Sequence, residues 1–440
     1  MAMPKDTREN HEGAARLGKR PGPLAGLRVL DIATMIAAPL TASILGDYGA
    51  DVVKIEMPGT GDTVRKLGAQ RGGGGLYWKT LSRNKRSVAM DLRHPEAQRL
   101  FLRWLPQFDV LIENFRPGTL ERWNLAPERL REIHPPLVIL RMTGFGQDGP
   151  YRTRQGFGTL AEAMSGVASV LVRDMPGFPR NRPALTSFPL GDVTAGMMGV
   201  NGVLAALWNR ERRGVGEIVD LAIYEALLKF MELEVLRYEG EPEAETEAPR
   251  IPDSAPRGLY HCGDGLWMAL SGSAQPVAER ILRLIGGEAL AADPRFRTNA
   301  LRVVHVEALD AIISGWCAGR GREECIAKMS AAGCAAGPLE SVGTLVANPQ
   351  VLARRAFVEV EDPELGPLRM TNVLPQFAGH VRAEPRPGPG VVGADTLTVL
   401  AENLGLGPDE IARLQREGAI GGPQATDAAE RTRGHQAAKG

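Results

Sequence analysis

Residues 27–55, LRVLDIATMIAAPLTASILGDYGADVVKI, decide the fold. Residues 27–32 form a short apolar run with Leu, Val and Ile, suited to a buried strand. Residues 39–47 carry the small, helix-compatible side chains of a packed helix, and 51–55 return to a strand pattern. Strand, helix and strand in so short a span form a βαβ unit, whose two strands must run parallel. The alternation continues with a strand at 87–90, a helix beginning near Pro95, and strands at 110–112 and 137–141. The fold class is therefore α/β, and its parallel sheet is expected to receive ligands at the carboxyl ends of its strands.

Composition narrows the functions available. The 440 residues hold 52 Lys and Arg against 52 Asp and Glu, which leaves no formal net charge and no general attraction to polyanions. Aromatic residues make up only 5%, so stacking platforms for single-stranded nucleic acid would be few, and nucleic acid is set aside as a partner. The 52 glycines and 32 prolines fall short of a low-complexity chain, and 43% hydrophobic residues indicate a globular one. Cys262, Cys317, Cys325 and Cys334 show no CxxC spacing, and the seven histidines are scattered. No metal site is expected, and a reducing, cytoplasmic location is the simplest reading. The opening MAMPKDTREN has charges where a signal peptide needs an apolar core. The apolar stretch 193–208 is bounded by Asp192 and Asn209 and interrupted by Asn201, so it reads as a buried helix and no membrane association is expected.

Along the chain, residues 1–21 read as a flexible extension and 22–230 as the first part of a large domain. Residues 231–251, dense in glutamate and containing Pro242, read as an acidic linker. A smaller domain of mixed helices and strands is expected at 252–350, with a hairpin over 258–271 and helices to about Ala331. Residues 351–420 would return to the large domain and end in a helix pair around 396–417, before a disordered tail at 421–440.

Several residues could carry chemistry. The four glycines 72–75 lack GxGxxG and GxxxxGK[ST] spacing, so they read as a mobile surface loop rather than a phosphate cradle. GxSxG, HExxH and EF-hand patterns do not occur. Cations and amides gather near expected strand ends in residues 84–87 (NKRS), Arg93, residues 114–118 (NFRPG) and Arg122. They match phosphate oxygens, although each alone is also what a solvated surface presents. A helix is expected over 190–213, closed by Arg212, Arg213 and Gly214. Asp192 at its start suits an N-cap, worth about 1 kcal/mol. On the residues alone the cap is the preferred reading; a carboxylate there would also be held ionised by the helix terminus, with Gly191 and Gly196 opening the backbone to an oxyanion.

The chain resembles the class III CoA-transferases, the CaiB/BaiF family, in a series of motifs in register over roughly 23–420. These are PLAGLRVLDIATMIAAPLTASILGDYGADVVKIEMPGTGD (23–62), NKRSVAMDL (84–92), ENFRPGTLERW (113–123), TGFGQDGPY (143–151), GFGTLAEAMSG (156–166) and PLGDVTAGM (189–197), followed by AAGCAAGPLESV and ADTLTVLAENLGL. The resemblance implies a discontinuous Rossmann-like large domain and a smaller α+β domain in an intertwined homodimer, with the active site formed between subunits. It implies an acyl-CoA:carboxylate CoA-transferase, with succinyl-CoA a candidate donor, CoA esters as substrates and no tightly bound cofactor. Asp192 in Gly191-Asp192-Val-Thr-Ala-Gly196 becomes the nucleophile, passing through a mixed anhydride and an aspartyl-CoA thioester. By the same likeness the turn Ala37-Ala38-Pro39, with Arg93, Asn114, Phe115 and Arg122, contacts CoA, and residues 271–275 supply a flexible loop over the site.

Departures from the family pattern bear on substrate and chemistry. Ile36 and Met57 stand where an oxalate-using relative has glutamine and arginine, which argues for a less polar acyl pocket. Phe157 replaces the histidine of family racemases, and Gly158 replaces a carboxylate often found next. An α-methylacyl-CoA racemase, a nonenzymatic CoA-ester-binding protein and a nicotinamide-dependent oxidoreductase remain alternatives. The first lacks its base and the last lacks GxGxxG after the first strand. Arg180 and Arg182 could read a second carboxylate on the substrate, or be exposed loop residues.

Overall fold

A computed structural model of the chain describes residues 21–171, 183–238, 253–381 and 383–423. The expected N-terminal extension up to residue 20, Arg180, Arg182, most of the acidic linker and the tail from 424 lie outside the described residues. Two compact units result, one built from residues up to 238 and from 355 onward, the other from 253 to 354.

The large unit is organised by six strands, β1 (Arg28–Asp31), β2 (Asp51–Glu56), β3 (Lys85–Ala89), β4 (Val110–Glu113), β5 (Val138–Thr143) and β6 (Ile218–Ala222). All pair in parallel, in the order β3-β2-β1-β4-β5-β6. The order reverses between β1 and β4, and such a reversal opens a crevice at the carboxyl ends of those two strands. Its main helices are α1 (Ala37–Asp47), α2 (Pro95–Trp104), α3 (Gly158–Met164), α4 (Leu190–Arg213) and α5 (Ile223–Arg237).

Because successive strand residues face opposite sides, the sheet feeds two cores. Leu30, Val53, Leu111 and Ile139 join Phe101 and Trp104 of α2 and Leu400 of the helix Thr396–Leu404. Val29, Val52, Val110 and Leu140 join Ala38, Ala42 and Leu45 of α1 and Val200 and Val203 of α4. On the face of Val29 and Val52, Lys54 and Lys85 are buried around Asp31, and Glu56 is buried against Arg65. By length and apolarity α4 could cross a membrane, and here it packs along α1, α5 and β5.

Two expectations change in the large unit. Helix α5 continues through residue 231 to Arg237, because the glutamates of that stretch fall on a helix whose other positions are apolar. The glycines 72–75 form a tight hairpin rather than a mobile loop: residues 70–71 pair antiparallel with 74–75, and Gly72 and Gly73 turn with φ of 55° and 89°. Gly75 packs against the Arg65 carbonyl too closely to admit a β-carbon.

In the small unit, β7 (Arg257–His261) and β8 (Trp267–Ser271) form an antiparallel hairpin. The helices α6 (Gln275–Ala291), α7 (Val306–Ala318) and α8 (Arg322–Ala331) follow, and β9 (Ala335–Pro338) adds to β8. The Sγ atoms of Cys262, Cys317 and Cys325 meet in this core within 4.8 Å of one another, a cluster no local spacing announces. Burial pushes the Cys317 thiol up to about 12 and that of Cys325 up to about 11, so these groups are protonated and serve as small apolar side chains.

Candidate active site

Helix α4 is capped by Pro189, which leaves Asp192 inside its first turn rather than at the N-cap. Its carboxylate lies over Gly158, the first residue of α3. A β-carbon built at Gly158 would overlap Oδ2 and stand 2.7 Å from Cγ. Among the described residues the Asp192 carboxylate makes no hydrogen bond and no ion pair. Burial, and then the charge of Glu162, raises its pKa to about 6. The helix terminus was expected to hold this group ionised with ease, and desolvation outweighs that effect.

Glu162, one turn along α3 from Gly158, is buried. It accepts from the Gly191 amide at 3.3 Å and from the Thr186 amide and hydroxyl at 3.3 and 3.0 Å. The Gly191 amide is thereby engaged. Gly196 also has a role other than the oxyanion one expected: it lets α1 approach, with its Cα side against the Ala37 carbonyl and its own carbonyl accepting from Thr41 Oγ1 at 2.8 Å. This crossing sets the start of α1 one helical turn from Asp192 along α4.

The loop from β1 to α1 is clasped from several sides. Asn114, just past β4, accepts from the Thr34 amide at 2.8 Å and donates to the Thr34 carbonyl at 2.7 Å. Asp62 accepts from the Met35 amide at 3.2 Å, and Met35 sits at a φ of 70°. Lys54 donates to the Ala33 carbonyl from below. The loop then enters α1 at Ala37, so Ala37, Ala38 and Pro39 form a buried first helical turn whose amides at Ala37 and Ala38 have no partner within the helix.

The remaining expected contacts lie along the carboxyl edge. Arg93 is exposed, paired with Asp91 at 2.8 Å, with its Nη2 3.3 Å from Met57 Sδ. Phe115 is half-buried edge-on to Trp123, with ring centroids 4.9 Å apart. Arg122 is exposed and donates to Thr119 Oγ1 at 3.0 Å. Residues 84–87 do not join them. They lie at the amino end of β3, where Lys85 is buried against Asp31 at 2.8 Å, Arg86 pairs with Asp51 at 2.6 Å and Asn84 with Asp47 at 2.8 Å. In the small unit Gln275 is held by Arg302 and by the Arg297 carbonyl, and Ser273 by Ser254, so residues 271–275 are anchored at both ends.

Glu162 and Thr186 are the site residues that motif reading passed over. The available signal was the four-residue spacing from Gly158 to Glu162, which puts both on one face of α3.

Along most of its length the chain is similar to known proteins. Residues 24–396 match the profile of CoA-transferase family III. The chain is 37% identical over 402 residues to the succinyl-CoA–D-citramalate CoA-transferase of Chloroflexus aurantiacus, covering 91% of this chain and 98% of that protein. It is 37% identical over 406 residues to the β subunit of succinyl-CoA–L-malate CoA-transferase from the same organism, covering 90% and 98%. The crystal structure of a CaiB/BaiF family protein from Brucella suis matches with a TM-score of 0.71 at 29% identity, over 87% of this chain and 100% of that chain.

Proposed function

This chain belongs to CoA-transferase family III and is a CoA-transferase, and from that premise we propose that Asp192 carries CoA from succinyl-CoA to a hydroxydicarboxylic acid. One Asp192 oxygen attacks the thioester carbonyl, the C–S bond breaks, and CoA leaves as the thiolate. The thiolate attacks the Asp192 carbonyl of the mixed anhydride, and succinate departs with the bridging oxygen. The acceptor carboxylate then attacks the aspartyl-CoA thioester, and the released thiolate takes the acceptor's acyl carbonyl, which frees Asp192.

The observation that carries this reading is the Asp192 carboxylate, partly buried on its glycine floor and without a hydrogen bond or ion pair among the described residues. A partly desolvated carboxylate with a raised pKa is a better nucleophile than one in water, and among the described residues it has no hydrogen bond to surrender on attack. The donor and acceptor class follow the names of the two Chloroflexus relatives. For CoA, the first-turn amides of α1 suit an anionic or carbonyl group, Arg93 and Arg122 suit phosphates, and Phe115 offers a face to the adenine. Asn114 serves by shaping the 32–36 loop, since its amide is occupied by Thr34. CoA enters and leaves as substrate, with no bound cofactor.

An interlocked homodimer in the cytoplasm completes the reading. Exposed Phe157, Phe188, Met197, Trp208, Phe230 and Leu236 on and around α3, α4 and α5 support a second copy as their cover. The deciding test is incubation with succinyl-CoA, trapping with hydroxylamine and mass spectrometry. A hydroxamate on Asp192, with CoA transfer to malate or citramalate, is expected; a modified peptide that excludes Asp192 overturns the mechanism.

A further inference from the structure

Helix α3 offers Asp192 two neighbours on one face. Gly158 brings no side chain, and Glu162, a turn later, brings a buried carboxylate that reaches Gly191, the residue before Asp192. A second anion buried beside a nucleophile is costly to keep, and hydrogen bonds from Gly191 and Thr186 are what hold it there. We propose that Glu162 is a positioning residue for the transfer: it fixes the first turn of α4 through the Gly191 amide and sets its charge beside Asp192, so that acylation, which turns Asp192 neutral, relieves a repulsion. This rests on Asp192 being the nucleophile.

The charge balance follows from the steps already written. Attack on the thioester moves the negative charge from Asp192 to the departing sulfur, and the return of the thiolate moves it to the departing succinate. In both covalent states the aspartyl carbonyl is uncharged, so Glu162 destabilises the resting carboxylate relative to each of them. The gain falls on the slow partner of the reaction, a carboxylate that is a weak nucleophile in water.

Among the described residues, Glu162 is the charged group that acts on Asp192. The face of α1 near Asp192 presents Ala37 and Thr41. Residues 183–189 contain no titratable side chain. On α5, Glu225 is bound to the Ala222 amide and Lys229 to Glu232; on β5, Arg141 pairs with Glu113 and Glu121; on β6, Asp220 accepts from the Gln147 amide.

The test compares pH profiles of kcat/KM for succinyl-CoA in wild type, Glu162→Gln and Glu162→Asp. In wild type the acid limb falls near 6, the pKa of Asp192. In Glu162→Gln the limb moves to lower pH while the alkaline plateau falls. For a downward move of about one unit, the rate at pH 5 relative to pH 8 rises about fivefold, since well below the pKa each unit changes the ionised fraction about tenfold. Glu162→Asp keeps the charge but draws it back from Gly191, so its limb stays near that of wild type and its plateau drops. An unmoved limb in Glu162→Gln overturns the electrostatic role, and an undiminished plateau in Glu162→Asp overturns the clasp. A Glu162→Gln protein that fails to fold leaves Glu162→Asp to decide. Failure of wild type to form the Asp192 hydroxamate instead sinks the mechanism itself, and so is distinguished from either result.

Discussion

Asp192 rests on Gly158 with no space for a methyl group between them. The glycine that stands in place of a family carboxylate is thus the floor of the nucleophile. Gly158→Ala forces the carboxylate to swing away while disturbing little else, because the atoms it meets belong to one short side chain. Since a misplacement of about 1 Å costs about 10²-fold in rate, kcat is expected to fall by that order while the melting temperature stays within a few degrees of wild type. Steady-state kinetics and a thermal melt check the two halves separately. Full activity in Gly158→Ala would show that Asp192 works in a different rotamer.

Asp192 also makes the fold less stable where the enzyme works. Its folded pKa lies near 6, above the ordinary 3.8 of an aspartate, so the native state holds this proton more tightly than the unfolded chain. Ionisation therefore costs stability above pH 6, and the cost disappears as pH falls below about 4. Asp192→Asn removes the charge and should be more stable than wild type at pH 7.5 by about 1 to 3 kcal/mol, taking about 1.36 kcal/mol per unit as an upper rate. The advantage should vanish near pH 4. Urea unfolding at the two pH values measures it, and equal stability at pH 7.5 would mean that the carboxylate is well solvated.

What the sequence showed depended on how local the signal was. The βαβ unit at 27–55 and the ends of α4 were legible because strand alternation, Gly214 and the basic last turn are properties of neighbouring residues. Lys54 and Lys85 were not: a lysine in a strand reads as solvent-facing, and only the sheet brings Asp31, Glu56 and Asp62 to them. Residues 84–87 were placed just before the expected strand at 87–90, but their engagement with Asp47, Asp31 and Asp51 likewise shows only in the packed sheet. Glu162 was hidden as an ordinary polar position on a helix, and Cys262, Cys317 and Cys325 met only through the packing of β7, α7 and α8. Gly158 was noticed as a departure, but its meaning required Asp192 to be set above it.

Asn114 predicts a split between binding and chemistry. Its side chain closes two hydrogen bonds on Thr34, the residue that leads the β1 loop toward α1. Asn114→Ala loosens that loop by roughly the worth of two hydrogen bonds, each about 1 kcal/mol. The KM for succinyl-CoA should rise about tenfold or somewhat more, with kcat nearly unchanged, because Asp192 stands on other elements. A fall in kcat at constant KM would instead place Asn114 in the covalent steps.

Lys54 ties the same loop to the core and should reveal itself through Asp62. The lysine ammonium is buried, contacts the Ala33 carbonyl, and lies 3.2 Å from Asp62 Oδ2. Among the described residues that oxygen has the Lys54 ion pair and no hydrogen bond, whereas Asp62 Oδ1 accepts from Met35 and Val64. Lys54→Met therefore strands a buried carboxylate, while Asp31 keeps Lys85 at 2.8 Å. A loss of about 3 to 5 kcal/mol is expected for removing one partner of a buried pair. Asp62→Asn preserves both acceptor contacts at Oδ1, so in the Lys54→Met background it should restore stability rather than reduce it further. Urea denaturation of the two single variants and the double variant forms the cycle. Additive losses would show that Asp62 is neutralised by something other than Lys54, whereas a rescue of 1 kcal/mol or more, about the scale of coupling between groups in contact, would establish the pair as the support of the 32–36 loop.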